Sequence, residues 1–175
     1  MNLIKLINKG TEILKKNSIF TASIDAEILL SISLNKSRDK MLLNQNQKIN
    51  FSQIKNYINL INRRKRKEPV SLIEKKRFFW DSNFLVNRDV LTPRFETELL
   101  VQEILKIYKF SKKIRILDVG TGSGCILISL LKEKKKWAGV GIDISLKSIK
   151  TAKTNAKIQQ VSNRIRLIKS DIDKF

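Results

Sequence analysis

The sequence predicts an α/β protein: an N-terminal helical bundle, then a β-hairpin, then a parallel doubly wound sheet. Three observations carry this reading. Apolar residues recur at helical spacing through residues 1–68. From Ile114 onward, short β-branched runs alternate with helical ones. Gly120-Thr121-Gly122-Ser123-Gly124 stands between the first of these runs and the helix that follows it.

In residues 1–68, Leu3, Leu6, Ile7, Ile13 and Leu14 mark a first helix. Ile24 to Leu34 is a second, with Asp25 and Glu27 in its first turn. Phe51, Ile54, Ile58 and Ile61 define the apolar face of a third, capped by Ser52 or a neighbour just before it. Asn35-Lys36-Ser37-Arg38 and Asn44-Gln45-Asn46-Gln47 read as polar connectors. Such a bundle fits a recognition domain or a packing appendage.

Pro69 breaks the helical run. Residues 69–90 then read as a linking hairpin, with strands Arg77–Trp80 and Asn83–Asn87 joined by Asp81-Ser82. Its aromatics suit a core better than a base-stacking platform. Residues 91–175 form the sheet domain. Its first strand is Ile114–Val119, and a helix runs from Cys125 to Lys132. Ala138–Asp143 is the second strand, Ser145 caps a helix reaching about Lys157, and Arg164–Ile168 is the third strand. Strand, helix, strand, helix, strand opens a doubly wound sheet.

Composition narrows the chemistry. The 175 residues include no His and one Cys. That removes histidine catalysis, imidazole zinc sites and a disulfide framework. The sequence assigns no catalytic residue and no metal ligand. No apolar run approaches the ~18 residues of a membrane-spanning helix, so a soluble cytoplasmic protein is expected, with no membrane partner. The formal net charge is +20, with 26 Lys, 10 Arg and 16 acidic residues. Residues 1–90 and 91–175 each carry 18 basic and 8 acidic side chains. Ile and Asn are also abundant, so the charge reads as compositional rather than as a selected nucleic-acid surface. The run Asn62-Arg63-Arg64-Lys65-Arg66-Lys67 reads as a solvated helix end, where cations suit the helix dipole.

The glycine loop carries the ligand reading. Ligands of such sheets sit beyond the carboxyl ends of the strands. Asp143 comes 21 residues after Gly122, at the end of the next strand, where a carboxylate can accept from ribose hydroxyls. A dinucleotide site wants G-x-G-x-x-G, but here the third glycine falls one place early. No phosphate-binding G-x-x-x-x-G-K-[ST] occurs either. The loop fits S-adenosylmethionine, which has ribose and adenine but no phosphate.

Leu91-Thr92-Pro93-Arg94-Phe95-Glu96-Thr97-Glu98-Leu99-Leu100-Val101 and Ile116–Gly124 resemble the release-factor glutamine methyltransferases. Ile24–Leu30, Lys36-Ser37-Arg38 and Glu68-Pro69-Val70 are similar to that family's N-terminal helical domain. The resemblance implies a Rossmann-like, S-adenosylmethionine-dependent methyltransferase. It implies that Gly120, Thr121, Gly122, Ser123 and Gly124 line the methionine end of the cofactor. Asp143 would hold the ribose, and Asp171 and Ile172 would border the adenine. Arg94, Glu96 and Glu98 would shape the pocket wall; a capped start to a helix over Phe95–Tyr108 accounts for Glu98 equally well. The implied reaction is methyl transfer to the glutamine amide in the Gly-Gly-Gln loop of class I peptide-chain release factors. An amide nitrogen is a poor nucleophile, so orientation must supply much of the rate. The family orients it with an Asn-Pro-Pro-Tyr motif after the fourth strand.

That motif does not occur in residues 1–175, nor do the remaining strands. The expectation is a C-terminally incomplete enzyme: most of a cofactor pocket, no amide clamp, and no methyl transfer by these residues alone. Phe95 replaces the second Pro of the family's P-R-P-[ED]-T-E pattern, and Ser71–Lys76 lacks the family's usual glycine. Two other functions stay open: a nucleic-acid adenine amino-methyltransferase, and a non-catalytic protein that binds cofactor or release factor.

Overall fold

A computed structural model describes residues 2–44 and 47–175. Gln45 and Asn46, part of the expected connector Asn44–Gln47, lie outside the described residues. Contacts divide the chain into two units, Met1–Glu74 and Lys75–Phe175.

The first unit is helical: α1 (Leu3–Lys15), α2 (Ala22–Leu34), α3 (Arg38–Leu43), α4 (Phe51–Lys65) and α5 (Val70–Glu74). Asn2 caps α1, its side chain accepting from the Lys5 N–H over 2.9 Å. Helix α2 is apolar on most of its circumference and buries Ala26, Leu29, Leu30 and Leu34. It ends at Asn35, whose left-handed φ of 51° stops the helix.

Helix α4 settles one expectation and corrects another. Its cap is Asn50, a neighbour just before Ser52. The Asn50 side chain accepts from the Gln53 N–H and the Gln53 side chain accepts from the Asn50 N–H, at 2.9 and 3.0 Å. The buried residues are Tyr57, Leu60 and Ile61, whereas Phe51 and Ile58 are exposed. Tyr57 sets this face: its hydroxyl donates to the Leu6 carbonyl over 3.2 Å inside the core. Burial pushes that phenol far above its ordinary range.

The basic run at the end of α4 is not merely solvated. Arg64 Nε donates to Asp25 Oδ2 over 2.7 Å, and that oxygen also accepts from the Thr21 hydroxyl over 2.8 Å. Arg63 donates to Glu68 through two nitrogens, and Lys67 donates to the carbonyls of Asn17 and Ser18. These side chains tie the end of α4 to α2 and to the segment before it. Two short helices were not expected: α3 lies between the two polar connectors, overlapping the first only at Arg38, and α5 lies in the stretch after Pro69 read as the start of the hairpin linker.

The second unit opens with an antiparallel hairpin, β1 (Lys76–Phe79) and β2 (Ser82–Leu85). The turn is Trp80-Asp81, one residue earlier than expected, with Trp80 at φ 59°. A 3₁₀ turn (Phe95–Thr97) leads into α6 (Glu98–Ile107). Then follow β3 (Arg115–Val119), α7 (Cys125–Glu133), β4 (Ala138–Asp143), α8 (Leu146–Ile158), β5 (Ile165–Lys169) and a final 3₁₀ turn, Ile172–Lys174.

Strands β3, β4 and β5 pair in parallel in that order, with Leu117 beside Val140 and Val140 beside Arg166. This is the Rossmann-like arrangement of the expected α/β class. Right-handed crossovers in one direction place α7 and α8 on the same face. Leu127, Ile128 and Leu131 of α7 and Ile149 and Ala152 of α8 form the core there with Phe79, Phe84 and Trp137. Leu117 and Val119 of β3 are 46% and 53% exposed. No helix among the described residues is long and apolar enough to cross a membrane.

Candidate functional site

The turn from β3 into α7 is built by three glycines with positive φ: Gly120 at 72°, Gly122 at 56° and Gly124 at 79°. Two of them are required for different reasons. At Gly124 a Cβ would lie 2.8 Å from Ile128 Cδ1 and 3.3 Å from Ala152 Cβ, so glycine lets the loop sit against α7 and α8. At Gly122 a Cβ would meet only the Gly120 carbonyl, at 3.8 Å. Its Cα faces open space, which a ligand can approach.

The side chains between them turn inward. Thr121 is buried; its hydroxyl donates to Asp118 Oδ2 over 2.7 Å and its N–H to the Ile142 carbonyl over 2.9 Å. Ser123 is buried, and its carbonyl accepts from Asn155 Nδ2 over 2.9 Å. The loop therefore presents backbone, not side chains, at Gly120 and Gly122.

Asp143, at the end of β4, is hydrogen-bonded to the glycine loop. Its Oδ2 accepts from the Gly122 N–H over 3.0 Å, and its Oδ1 accepts from the Ser145 N–H over 2.8 Å. Each oxygen keeps a second lone pair, so the carboxylate retains room for two hydroxyl donors. Ser145 then caps α8, accepting from the Ser148 N–H over 3.2 Å. The Ser170 N–H donates to the Asp143 carbonyl over 3.1 Å, which brings the end of β5 to the same end of the sheet. Asp171 and Ile172 follow there; Asp171 accepts from the Asp173 N–H over 3.4 Å, and Ile172 is half-exposed.

Arg94 and Glu96 are exposed on the segment before α6. Glu98 has a structural partner: its Oε1 accepts from the Trp80 N–H over 3.0 Å and holds the hairpin turn.

Two residues of this site carry no signal in a linear reading. Asp118 lies within β3, and its carboxyl is held above the usual carboxylate range. Burial is the main cause and the nearby Asp143 charge adds to it, while the Thr121 hydrogen bond works the other way. Asn155 is fully buried mid-helix and joins the Ser123 carbonyl to the backbone of Leu85. Cys125, the first residue of α7, is buried, and burial pushes its thiol up to about 11.

Residues 5–73 match the family model described as the PrmC N-terminal domain, and residues 110–175 match a methyltransferase domain. The release factor glutamine methyltransferase of Caulobacter vibrioides is 34% identical over 171 residues, covering 98% of this chain and 59% of that protein. The protein of the same name from Leptospira interrogans is 37% identical over 173 residues, covering 98% and 60%. A crystal structure of an RNA methyltransferase from Salinibacter ruber, in complex with S-adenosyl-L-homocysteine, has 27% identity and a TM-score of 0.42, covering 49% of this chain and 53% of that one. The chain thus spans about six-tenths of the length of the curated relatives it matches. Over that span it is similar to the release factor glutamine methyltransferases.

Proposed function

We propose that this chain binds S-adenosylmethionine at the glycine loop. In the whole protein, the bound methyl would go to the glutamine side-chain amide in the Gly-Gly-Gln loop of class I release factors. The single observation that carries the cofactor reading is the hydrogen bond from the Gly122 N–H to Asp143 Oδ2, 3.0 Å long, beside a glycine Cα that faces open space. It sets a ribose-type acceptor next to a backbone surface free of side chains. The substrate reading rests on the names of the relatives and on the match over residues 5–73.

Bound, the cofactor supplies a methyl group on a positively charged sulfur. The chain's own residues would position it. Gly120 and Gly122 would lie against the methionine portion, and Asp143 would accept from the two ribose hydroxyls. Asp171 and Ile172, at the same end of the sheet, would border the adenine. Thr121 and Ser123 would act through the loop, holding its backbone from inside. The division into a helical recognition domain over 1–68, a hairpin over 69–90 and a methyltransferase domain over 91–175 belongs to this proposal. Asn-Pro-Pro-Tyr does not occur in residues 1–175. These residues by themselves are expected to bind the cofactor and to transfer no methyl.

A second reading, methyl transfer to adenine amino groups of nucleic acid, draws on the net charge of +20. The match over residues 5–73 favours the first.

The test is calorimetric titration of the 175-residue chain with S-adenosylhomocysteine, with Asp143→Ala alongside. Binding that weakens about tenfold or more on losing the two hydroxyl acceptors supports the assignment. Unchanged affinity in the variant, or no binding by the parent chain, overturns it.

A further inference from the structure

The glycine loop follows the carboxyl ends of the strands. The segments that precede β3 and β4 meet at the opposite end of the sheet, and there the charge is not evenly spread. Tyr108-Lys109-Phe110-Ser111-Lys112-Lys113 and Lys134-Lys135-Lys136-Trp137 hold six lysines, three aromatics and no acid in ten residues. The chain as a whole has 26 lysines in 175 residues. These two segments are richer in lysine than the chain as a whole, and Glu133 precedes the second.

The fold brings the two segments together. Lys134 Nζ donates to the Lys109 carbonyl over 3.0 Å, and Trp137 Nε1 donates to the Ser111 carbonyl over 3.1 Å. Tyr108 meets Trp137 edge to face, with ring centres 6.4 Å apart. Arg164, which precedes β5, donates to the carbonyls of Lys134 and Trp137, both at 3.1 Å. Lys112, Lys113, Lys135 and Lys136 are left exposed around this joint. The adjacent Glu133 accepts from Trp80 Nε1 over 2.7 Å. Phe110 is 89% exposed, and the Lys109 ammonium lies 5.5 Å from its ring centre.

We infer that this end of the Lys75–Phe175 unit binds single-stranded nucleic acid. The exposed lysines would take phosphates, releasing their counterions. The Phe110 ring, standing free among cations, would receive an unpaired base. A base-paired duplex offers no free face to that ring, which selects a single strand. The site lies at the opposite end of the strands from Gly122 and Asp143, so it is separate from the proposed cofactor site and does not depend on it.

The experiment is fluorescence anisotropy of a labelled short oligouridylate titrated with the 175-residue chain. Because any chain of charge +20 attracts polyanions, the patch variant Lys112→Glu/Lys113→Glu/Lys135→Glu is compared with Lys15→Glu/Lys40→Glu/Lys55→Glu, an equal charge change on exposed residues of the helical unit. Circular dichroism and thermal midpoints establish that each variant is folded. The patch variant is expected to weaken binding by about tenfold or more and to flatten the log K against log salt slope by about 2, with the control changing affinity by less than about threefold. Phe110→Ala is expected to weaken binding by about fivefold or more, with the salt slope unchanged. Saturating S-adenosylhomocysteine is expected to leave the affinity as it was.

Equal losses in the two triple variants would overturn the inference, as would full affinity in Phe110→Ala or tighter binding to a duplex of the same length. Oligonucleotide binding that depends on Asp143 or on S-adenosylhomocysteine would place the nucleic acid at the glycine loop instead. Patch-dependent binding to phosphatidylglycerol vesicles, without patch-dependent binding to the oligonucleotide, would make this end a lipid surface and overturn it as well.

Discussion

The side-chain amide of Asn155 pairs with the backbone of Leu85 in both directions, accepting from its N–H over 2.7 Å and donating to its carbonyl over 3.0 Å. The same amide nitrogen donates to the Ser123 carbonyl over 2.9 Å. One buried side chain on α8 therefore holds both the hairpin and the glycine loop. Asn155→Ala would leave three backbone groups unpaired and is expected to cost about 2–4 kcal/mol. Urea unfolding measures the loss, and faster hydrogen exchange at the Leu85 amide locates it. An Asn155→Ala protein with parental stability would remove the latch.

The glycines of the loop separate fold from ligand. Gly124→Ala forces a methyl to 2.8 Å from Ile128 at φ 79° and is expected to destabilise the protein by about 2–4 kcal/mol. Gly122→Ala pays only the backbone term, about 1–2 kcal/mol, because nothing lies within contact of its Cβ except the Gly120 carbonyl at 3.8 Å. Its methyl enters the space proposed for the cofactor. Denaturation and calorimetry together are expected to show the larger stability loss in Gly124→Ala and the larger affinity loss in Gly122→Ala. The reverse ranking would mean that the open face of Gly122 is not where the ligand lies.

Asp118 makes stability depend on pH with a definite sign. Its carboxyl titrates higher in the folded protein than in the unfolded chain. The folded state therefore holds the proton more tightly, and ionisation works against folding. This contribution is fully present below the ordinary Asp range, about 4, and is lost as pH rises through the raised folded value. Asp118→Asn keeps an acceptor for the Thr121 hydroxyl and does not ionise. Relative to the parent, the variant is expected to gain stability as pH rises from about 4 to 7. Denaturant midpoints at the two ends of that interval check it, and a constant difference would refute the assignment.

Cys125 stands at the first position of α7, where the helix dipole ordinarily lowers a thiol's pKa. Burial wins here and carries it to about 11. At pH 8 only about a thousandth of the thiol would be ionised, and the sulfur is 8% exposed as a residue. Ellman's reagent is expected to react at least about a hundredfold more slowly with the folded protein than in guanidinium. As the chain has one cysteine, the trace reports this site alone. A fast phase from the folded protein would show the thiol to be open.

The parts of the structure legible in the sequence are those set by near neighbours. Three glycines in five residues, a strand before them and an acid at the end of the next strand all stand within about one βαβ unit. The alternation of strand and helix and the position of Asp143 at a strand end followed from that. Features decided by distant partners were not legible. The apolar face of α4 is turned toward Tyr57 by a hydrogen bond to Leu6, 51 residues away. The latch on α8 joins Asn155 to residues 32 and 70 positions away. Trp80 occupies a positive φ that its residue type does not announce, so the hairpin turn falls one residue early. Pro69 comes after α4 has already ended at Lys65 and starts the next helix, its carbonyl accepting from the Leu72 and Ile73 N–H groups.

The two ends of the parallel sheet differ in their balance of charge. Asp118, Asp143, Asp171 and Asp173 stand with Lys169 and Lys174 where the strands finish, and Lys112, Lys113, Lys135 and Lys136 where β3 and β4 begin. Along a strand of five residues such as β3 the separation is roughly 16 Å, so these charges form an electric dipole along the strands. A polyanion drawing within about 10 Å, before salt screens the field, exerts a torque that turns the lysine end inward. The Lys75–Phe175 unit would then turn its glycine loop away from the polyanion.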